Sequence, residues 1–290
     1  MPRMTTEEAI LHLRADPDNR QLVLASYLDE NVEEAAARFR ASEEFVATVE
    51  LAVQSHCLGR VLDLGAGTGI ASRAFALAGA EFIAAVEPDQ SSVVGMGCLV
   101  QLTKGLQVLP VAALGDRLPV ASRTFDLVYC RQVLHHIPDL GPTLAECARV
   151  LRPGGMLLAV REHVVDDDEQ LAEFRAEHVV HQLSGGEGAH SVEQYAGAMI
   201  DAGLELRRVL GPWDSIINCF PDVQTTEEMA RAPSVVLGRR FGVVGRFAGA
   251  VPGVRELVWR RLRRPRPGRL FTFVARKPLL APGEPRVRNG

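Results

Sequence analysis

The sequence predicts an α/β fold: an open, mostly parallel seven-stranded sheet with helices on both faces, an N-terminal helical cap, and lid insertions late in the chain. Three observations carry this. From residue 59 onward, short β-branched runs alternate with helix-length segments, the pattern of βαβ units. The strand runs are apolar almost throughout, as in Ala84-Ala85-Val86 and Leu127-Val128-Tyr129-Cys130, which suits a sheet covered on both faces. The 290 residues are 47% hydrophobic and 23% charged, a composition that excludes disordered and fibrous chains.

Residues 1–55 read as helical and acidic. Thr5-Thr6-Glu7-Glu8 and Ser42-Glu43-Glu44 are cap-and-acid starts, and Phe45, Val49, Ala52 and Val53 follow at helical spacing. Strands are expected at Arg60–Leu64, Phe82–Glu87, Leu106–Val111, Phe125–Cys130 and Met156–Arg161. The alternation then stops until Ser191. A helix at Val192–Ala202 and a strand at Leu204–Leu210 come next, then a second irregular stretch from Gly211 to Gly268 and a closing strand at Leu270–Arg276. The expected organisation is a cap over 1–55, a ligand-binding core over 56–161, and the rest of the core over 162–278. The last part carries insertions at 162–191 and 211–268, and 279–290 form a flexible tail.

Net charge is −4, so no overall field draws the chain to nucleic acid. Thirty of the 32 basic residues are arginine, Lys104 and Lys277 being the two lysines. The five cysteines are scattered, without a C-x-x-C pair, which fits a reducing compartment. No apolar stretch reaches the ~20 residues of a membrane span, and MPRMTTEEAI lacks a signal pattern. The expectation is a cytoplasmic protein with no integral membrane segment and no nucleic-acid partner, compatible with a homo-oligomer.

The informative segment is Val61-Leu62-Asp63-Leu64-Gly65-Ala66-Gly67-Thr68-Gly69-Ile70, in which an apolar strand runs into three glycines and then a helix. Glycines there allow a sharp turn and close approach of a ligand to the backbone. The turn lies at the carboxyl end of the first strand, where open α/β sheets bind ligands. Glu87 ends the next strand, placed to accept hydrogen bonds from a ribose. The spacing is G-x-G-x-G rather than the G-x-G-x-x-G of pyrophosphate sites, and Asp63 would repel a pyrophosphate but attract an amine. The same glycines would also serve a tight turn with no ligand.

This stretch resembles the first motif of class I S-adenosylmethionine-dependent methyltransferases, whose sheet is Rossmann-like, and the similarity continues in order. Glu87-Pro88-Asp89 resembles the ribose-binding strand end, and Gly115-Asp116-Arg117-Leu118-Pro119 the adenine loop. Thr124–Tyr129 with Val133-Leu134-His135-His136 resembles the fourth strand and its exit. Leu151-Arg152-Pro153-Gly154-Gly155 resembles the turn before the fifth, and Phe271–Pro278 the closing strand. The resemblance implies S-adenosylmethionine as cofactor. It implies that Asp63, Gly65 and Gly67 hold the methionine part, Glu87 the ribose and Asp116 the adenine. Ala66, Pro88, Arg117 and the carbonyl of Arg131 complete the cofactor-binding set.

Methyl transfer from a sulfonium needs in-line positioning and, for a hydroxyl acceptor, a base. Six of the eight histidines fall between His135 and His190. His136, Glu162, His163 and Tyr195 are the catalytic candidates, although a histidine at 135 or 136 serves the fold equally well. Arg161, His178, His181, Glu187, Trp213, Asp214 and Asn218 are candidate substrate contacts, in or beside the two insertions. His178 and His181 stand at i, i+3 but lack the further ligands of a metal site, so no metal is expected. Gly185–His190 suits a closing loop. Residues 239–269 hold ten arginines against Glu256, with apolar positions at helical spacing. They read as a solvated helix pairing with the acidic N-terminus, or as a surface for anionic lipid or a phosphorylated substrate.

The leading expectation is methyl transfer to a small-molecule acceptor, a metabolite or natural product. Three alternatives remain: cyclisation of the cofactor with release of methylthioadenosine, a non-catalytic cofactor-binding subunit, and a nicotinamide oxidoreductase.

Overall fold

Strand β1 (Arg60–Leu64) alternates its side chains between two apolar layers, Val61 facing one and Leu62 and Leu64 the other. The same division holds along β2 (Phe82–Val86), β4 (Phe125–Arg131) and β5 (Leu151–Val164). Helices therefore cover both faces. The computed structural model describes residues 4–186, 188–219, 223–264 and 266–279. With β3 (Val108–Val111), β6 (Glu205–Leu210) and β7 (Arg269–Arg276) the strands form one seven-stranded sheet in the order β3-β2-β1-β4-β5-β7-β6. All pairs are parallel except those of β7, which runs antiparallel to both neighbours. Connections leave β1 toward β2 and β3 and return to β4, so the switch point, and the crevice it opens, lies between β1 and β4.

The N-terminal residues divide between two layers. Helices α1 (Thr6–Ala15) and α2 (Arg20–Ala25) make a small cluster of Ile10, Leu13 and Val23. Helices α3 (Val32–Ala41) and α4 (Glu43–Gln54) instead cover the sheet, packing with α5 (Ile70–Leu77) over Val61, Leu127 and Leu158. Rings of Tyr27, Phe39, Phe45, Phe75 and Tyr129 follow one another at 4.9–5.3 Å between centroids, edge to face except for the tilted Phe39–Phe45 pair, and join these helices to β4. Each buried ring contributes roughly 2–3 kcal/mol by removal from water. The expected cap over 1–55 is thus a cap only as far as α2.

Helix α6 (Met96–Leu102) links β2 to β3. Helices α7 (Leu140–Val150) and α10 (Val192–Asp201) cover the other face through Leu144, Cys147, Tyr195 and Met199. Between β5 and α10 the chain forms α8 (Asp168–Glu177) and α9 (Val179–Ser184). Helix α1 lies on this insertion, with Met4 N donating to Leu183 O at 3.1 Å. The stretch from Gly211 to Gly268, expected to be irregular, carries α11 (Thr226–Ala230), α12 (Ala232–Ala250) and α13 (Pro252–Leu262). Its glycines mask the helical pattern because they sit where helices touch at backbone distance. Of the tail expected over 279–290, all but Leu279 lies outside the described residues. All five cysteines are free and buried.

Candidate cofactor and acceptor site

The loop after β1 is folded back by left-handed glycines, Gly65 at φ 67° and Gly69 at φ 87°, and Gly69 caps α5. A Cβ on Gly65 would stand 2.5 Å from Val133 Cγ2, so this loop and the one leaving β4 touch at backbone distance. Ala66 N donates to Val86 O at 2.9 Å, and Gly67 N to Glu87 Oε2 at 2.7 Å. Glu87 Oε1 accepts from Asp89 N at 2.8 Å. Burial raises the Glu87 pKa, while the N–H groups of Asp89 and Gly67 pull it down.

Asp63 is buried under α5, where its Oδ2 accepts from Ser72 Oγ at 2.5 Å. Burial pushes its pKa from 3.8 up to about 7; the Ser72 bond works against that and Glu87 adds to it. Burial thus works against the charge on both acids at the loop. An incoming ammonium and a ribose diol would relieve this, whereas a pyrophosphate would aggravate it. The residues fit S-adenosylmethionine. Pro88, Asp116 and Arg117 are exposed at the same edge. The Asp116 loop is anchored by Leu118 N to Glu146 Oε2 at 2.8 Å and by Arg149 Nη2 to Leu118 O at 3.0 Å.

At the end of β4, Arg131 Nε donates to Glu44 Oε1 of α4 at 2.7 Å. Arg161, left-handed at φ 59° and buried in β5, has Nε 3.8 Å from the same oxygen and donates from Nη1 to Ile217 O at 2.9 Å. Burial works against the Glu44 charge, but the two guanidiniums prevail and lower its pKa. Glu44 was not singled out from the sequence. The signal was there, since it is an acid on the buried face that also carries Phe45, Thr48 and Ala52.

Glu162 is 0% exposed. Its Oε1 accepts from Val133 N at 3.1 Å, and its Oε2 from His135 N at 3.1 Å, with His135 Nδ1 at 2.8 Å. It therefore braces the loop that leaves β4. Tyr195 is also fully buried, and its hydroxyl donates to His163 O at 3.0 Å, so it belongs to the core and not to the ligand edge where the sequence put it. His163 Nδ1 donates to Gly268 O at 2.7 Å.

The rings of His136, His135, His163 and His178 follow one another at 4.1, 4.7 and 5.6 Å, a run that the scattered sequence positions did not announce. His178 caps α9, accepting from His181 N at 3.4 Å, and His181 Nδ1 is buried with no hydrogen-bond partner. Glu187 lies outside the described residues. Among the described residues, no three His, Cys, Asp or Glu side chains group as metal ligands.

The remaining candidates lie elsewhere on the acceptor side. Trp213 Nε1 donates to Leu262 O at 3.0 Å and its ring meets Trp259 at 5.7 Å, tying the β6 exit to α13. Asp214 accepts from Gly211 N at 2.8 Å. Asn218 is buried, donating to Leu210 O and Gly211 O at 2.9 Å and accepting from Thr272 Oγ1 at 2.7 Å. A cavity of about 670 Å³ is lined by His135, His136, Asp166, Arg175, Gly188 and His190, among others. A second, of about 730 Å³, is lined by Tyr27, Arg38, Glu44, Ile216 and Arg239, among others. The structure thus gathers the cofactor candidates at one edge and the histidines at the next, with Tyr195 in the core beside His163 and His190 and Trp213 at the β6 exit against α13.

A glycine loop at the switch point, two acids beside it and an antiparallel seventh strand define a nucleoside-binding α/β enzyme fold. Residues 62–159 match the methyltransferase domain family. The ubiquinone biosynthesis O-methyltransferase of Pseudomonas putida strain KT2440 is 30% identical over 162 residues, 52% of this chain and 67% of that protein. The Xylella fastidiosa strain 9a5c enzyme of the same name is 32% identical over 166 residues, 53% of this chain and 65% of that one. The chain spans about two thirds of the length of these relatives.

Two solved structures share the fold at low identity. One is an S-adenosylmethionine-dependent methyltransferase from Mesorhizobium loti (18% identity, TM-score 0.50, 76% of this chain and 92% of that one). The other is a geranyl diphosphate methyltransferase with GPP and sinefungin (15%, TM-score 0.51, 76% and 71%). The chain belongs to the class I S-adenosylmethionine-dependent methyltransferases.

Proposed function

We propose that this methyltransferase acts on a hydroxyl of a small organic acceptor bound in the 670 Å³ cavity, with His136 as the general base. The observation that carries this is the position of His136. It lines the cavity directly after β4, its ring is set against His135, and His135 is locked by the buried Glu162. The His136 Nδ1 lies 3.5 Å from Gly186 O, so a proton on Nδ1 makes Nε2 the basic nitrogen. The cofactor supplies an activated methyl group. Asp63 and Glu87 hold and orient its amine and ribose, and Asp116 receives the adenine. A cavity of this volume suits a metabolite-sized acceptor, and relatives named for O-methylation make oxygen the first acceptor atom to try.

No helix among the described residues is long and apolar enough to cross a membrane, and with five free cysteines we assign the protein to the cytoplasm. The test is mass spectrometry of the adenosine products after incubation with S-adenosylmethionine, with and without a metabolite extract from the source. Adenosylhomocysteine formed only with extract, together with a product heavier by one methyl group, is the expected result. Methylthioadenosine formed without extract would replace methyl transfer by cyclisation.

A further inference from the structure

The longest helix of the β6–β7 insertion is two helices in one. At Gly242 (φ 63°, ψ −143°) α12 leaves helical geometry, and residues 243–250 turn back along 232–241. Glycines let the two arms meet at backbone distance. A Cβ on Gly245 would fall 2.1 Å from Leu237 O, and one on Gly249 2.5 Å from Ser234 Cα. The turn of this hairpin is apolar and open to solvent: Phe241, Val243, Val244 and Phe247 are 58–77% exposed. Leu257 and Val251 beyond it are also exposed. Monomeric soluble surfaces rarely expose such a cluster without a use for it.

Arg239, Arg240 and Arg246 flank the turn, and Arg255, Arg260, Arg261, Arg263, Arg264 and Arg266 follow on and after α13, all exposed. The sequence allowed these arginines to pair with the acidic N-terminal helices. Among the described residues between 239 and 269, only Arg260 (with Glu256) and Arg269 (with Asp166) form ion pairs, so the N-terminal acids take none of them.

The geometry points to this hairpin as a docking element for an anionic lipid bilayer. Its apolar turn enters the acyl boundary while the arginines beside it meet the headgroup phosphates. Acyl chains take up four neighbouring apolar side chains on a protruding turn without any complementary pocket, and guanidiniums bind phosphate oxygens while their stems stay apolar. A nucleic acid would leave the Phe and Val side chains with nothing to cover them. Docking here is peripheral and needs no spanning helix.

The test is flotation of the full chain with vesicles of phosphatidylcholine alone, and of phosphatidylcholine mixed with phosphatidylglycerol, at low and high salt. Binding to the mixed vesicles that weakens with salt is expected, with little binding to phosphatidylcholine alone. Phe241→Glu with Phe247→Glu should lower partitioning at least about tenfold, and Arg240→Glu with Arg246→Glu by a similar factor. Both variants should keep the melting temperature and cofactor affinity of the wild type. Val244→Cys carrying an environment-sensitive dye should shift to the blue with mixed vesicles, the native cysteines being buried. Failure to float with mixed vesicles, equal binding to both compositions, or full binding by the Phe241/Phe247 variant would overturn the proposal. So would a dimer in sedimentation that this variant dissolves, which would assign the surface to a second copy of the chain.

Discussion

At the β1–β2 edge the main chain does most of the holding. Left-handed glycines turn the loop, Ala66 N and Gly67 N pin it to β2, and the two acids sit at strand ends that any parallel sheet of this order would bring together. Beyond β4 the holding passes to side chains drawn from distant segments. Glu44 of α4 ties β4 to β5, Glu162 braces the loop at His135, and Trp213 anchors α13. A backbone-built edge constrains residue types within a short stretch. A side-chain-built edge depends on pairs far apart in the chain, and it is the edge that can change acceptor without disturbing the cofactor.

Replacing Glu162 with Leu tests that division most severely. It strands the N–H groups of Val133 and His135 and removes the partner of His135, at a cost of about 4 kcal/mol and on the order of 10 °C in Tm. A lost activity with an unchanged Tm would instead make Glu162 a chemical participant. His136→Gln should lower kcat by about 100-fold or more while S-adenosylmethionine affinity, measured by calorimetry, stays put. An unchanged kcat would remove His136 as the base.

Asp63→Asn probes the other edge through pH. The folded protein holds this carboxyl protonated up to about pH 7, whereas in the unfolded chain it ionises from about pH 4 upward. Wild-type stability therefore declines between those values and levels off above them. Asn has no proton to lose, so the variant should gain on the wild type by about 2 kcal/mol between pH ~5 and ~7 in denaturant titrations, while binding the cofactor more weakly. Equal pH dependence of the two proteins would show that Asp63 is not buried as described. Trp213→Phe should be the mildest, about 1 kcal/mol from one hydrogen bond, with cofactor affinity unchanged.

All seven strands were legible because strands buried on both faces are apolar without interruption, and the glycine loop because its turn leaves glycine few substitutes. The acceptor edge was harder to read. Glu162 and Tyr195 carry chemistry-bearing groups just past the strand expected to end at Arg161 and ahead of β6, so the sequence marks them as candidates, although β5 in fact runs on to Val164. Only packing shows that one braces a loop and the other fills the core. The histidine run needed tertiary structure to exist at all, since its rings come from 135, 136, 163 and 178. Helical spacing was legible from Phe241 onward, but the start of α12 at Ala232 and its hairpin were not, because Gly238, Gly242, Gly245 and Gly249 lower helical propensity, although three of them are what let its arms close on one another.

The first helix rests on the β5–α10 insertion: Met4 binds Leu183, and Ile10 and Leu13 pack with Val180 and Leu183. Any outward swing of that insertion to admit an acceptor must either carry α1 with it or peel it away. A reporter on exposed Leu11, far from the chemistry, would then register acceptor entry. A bulky fusion ahead of Met4 would burden turnover before it touched cofactor binding.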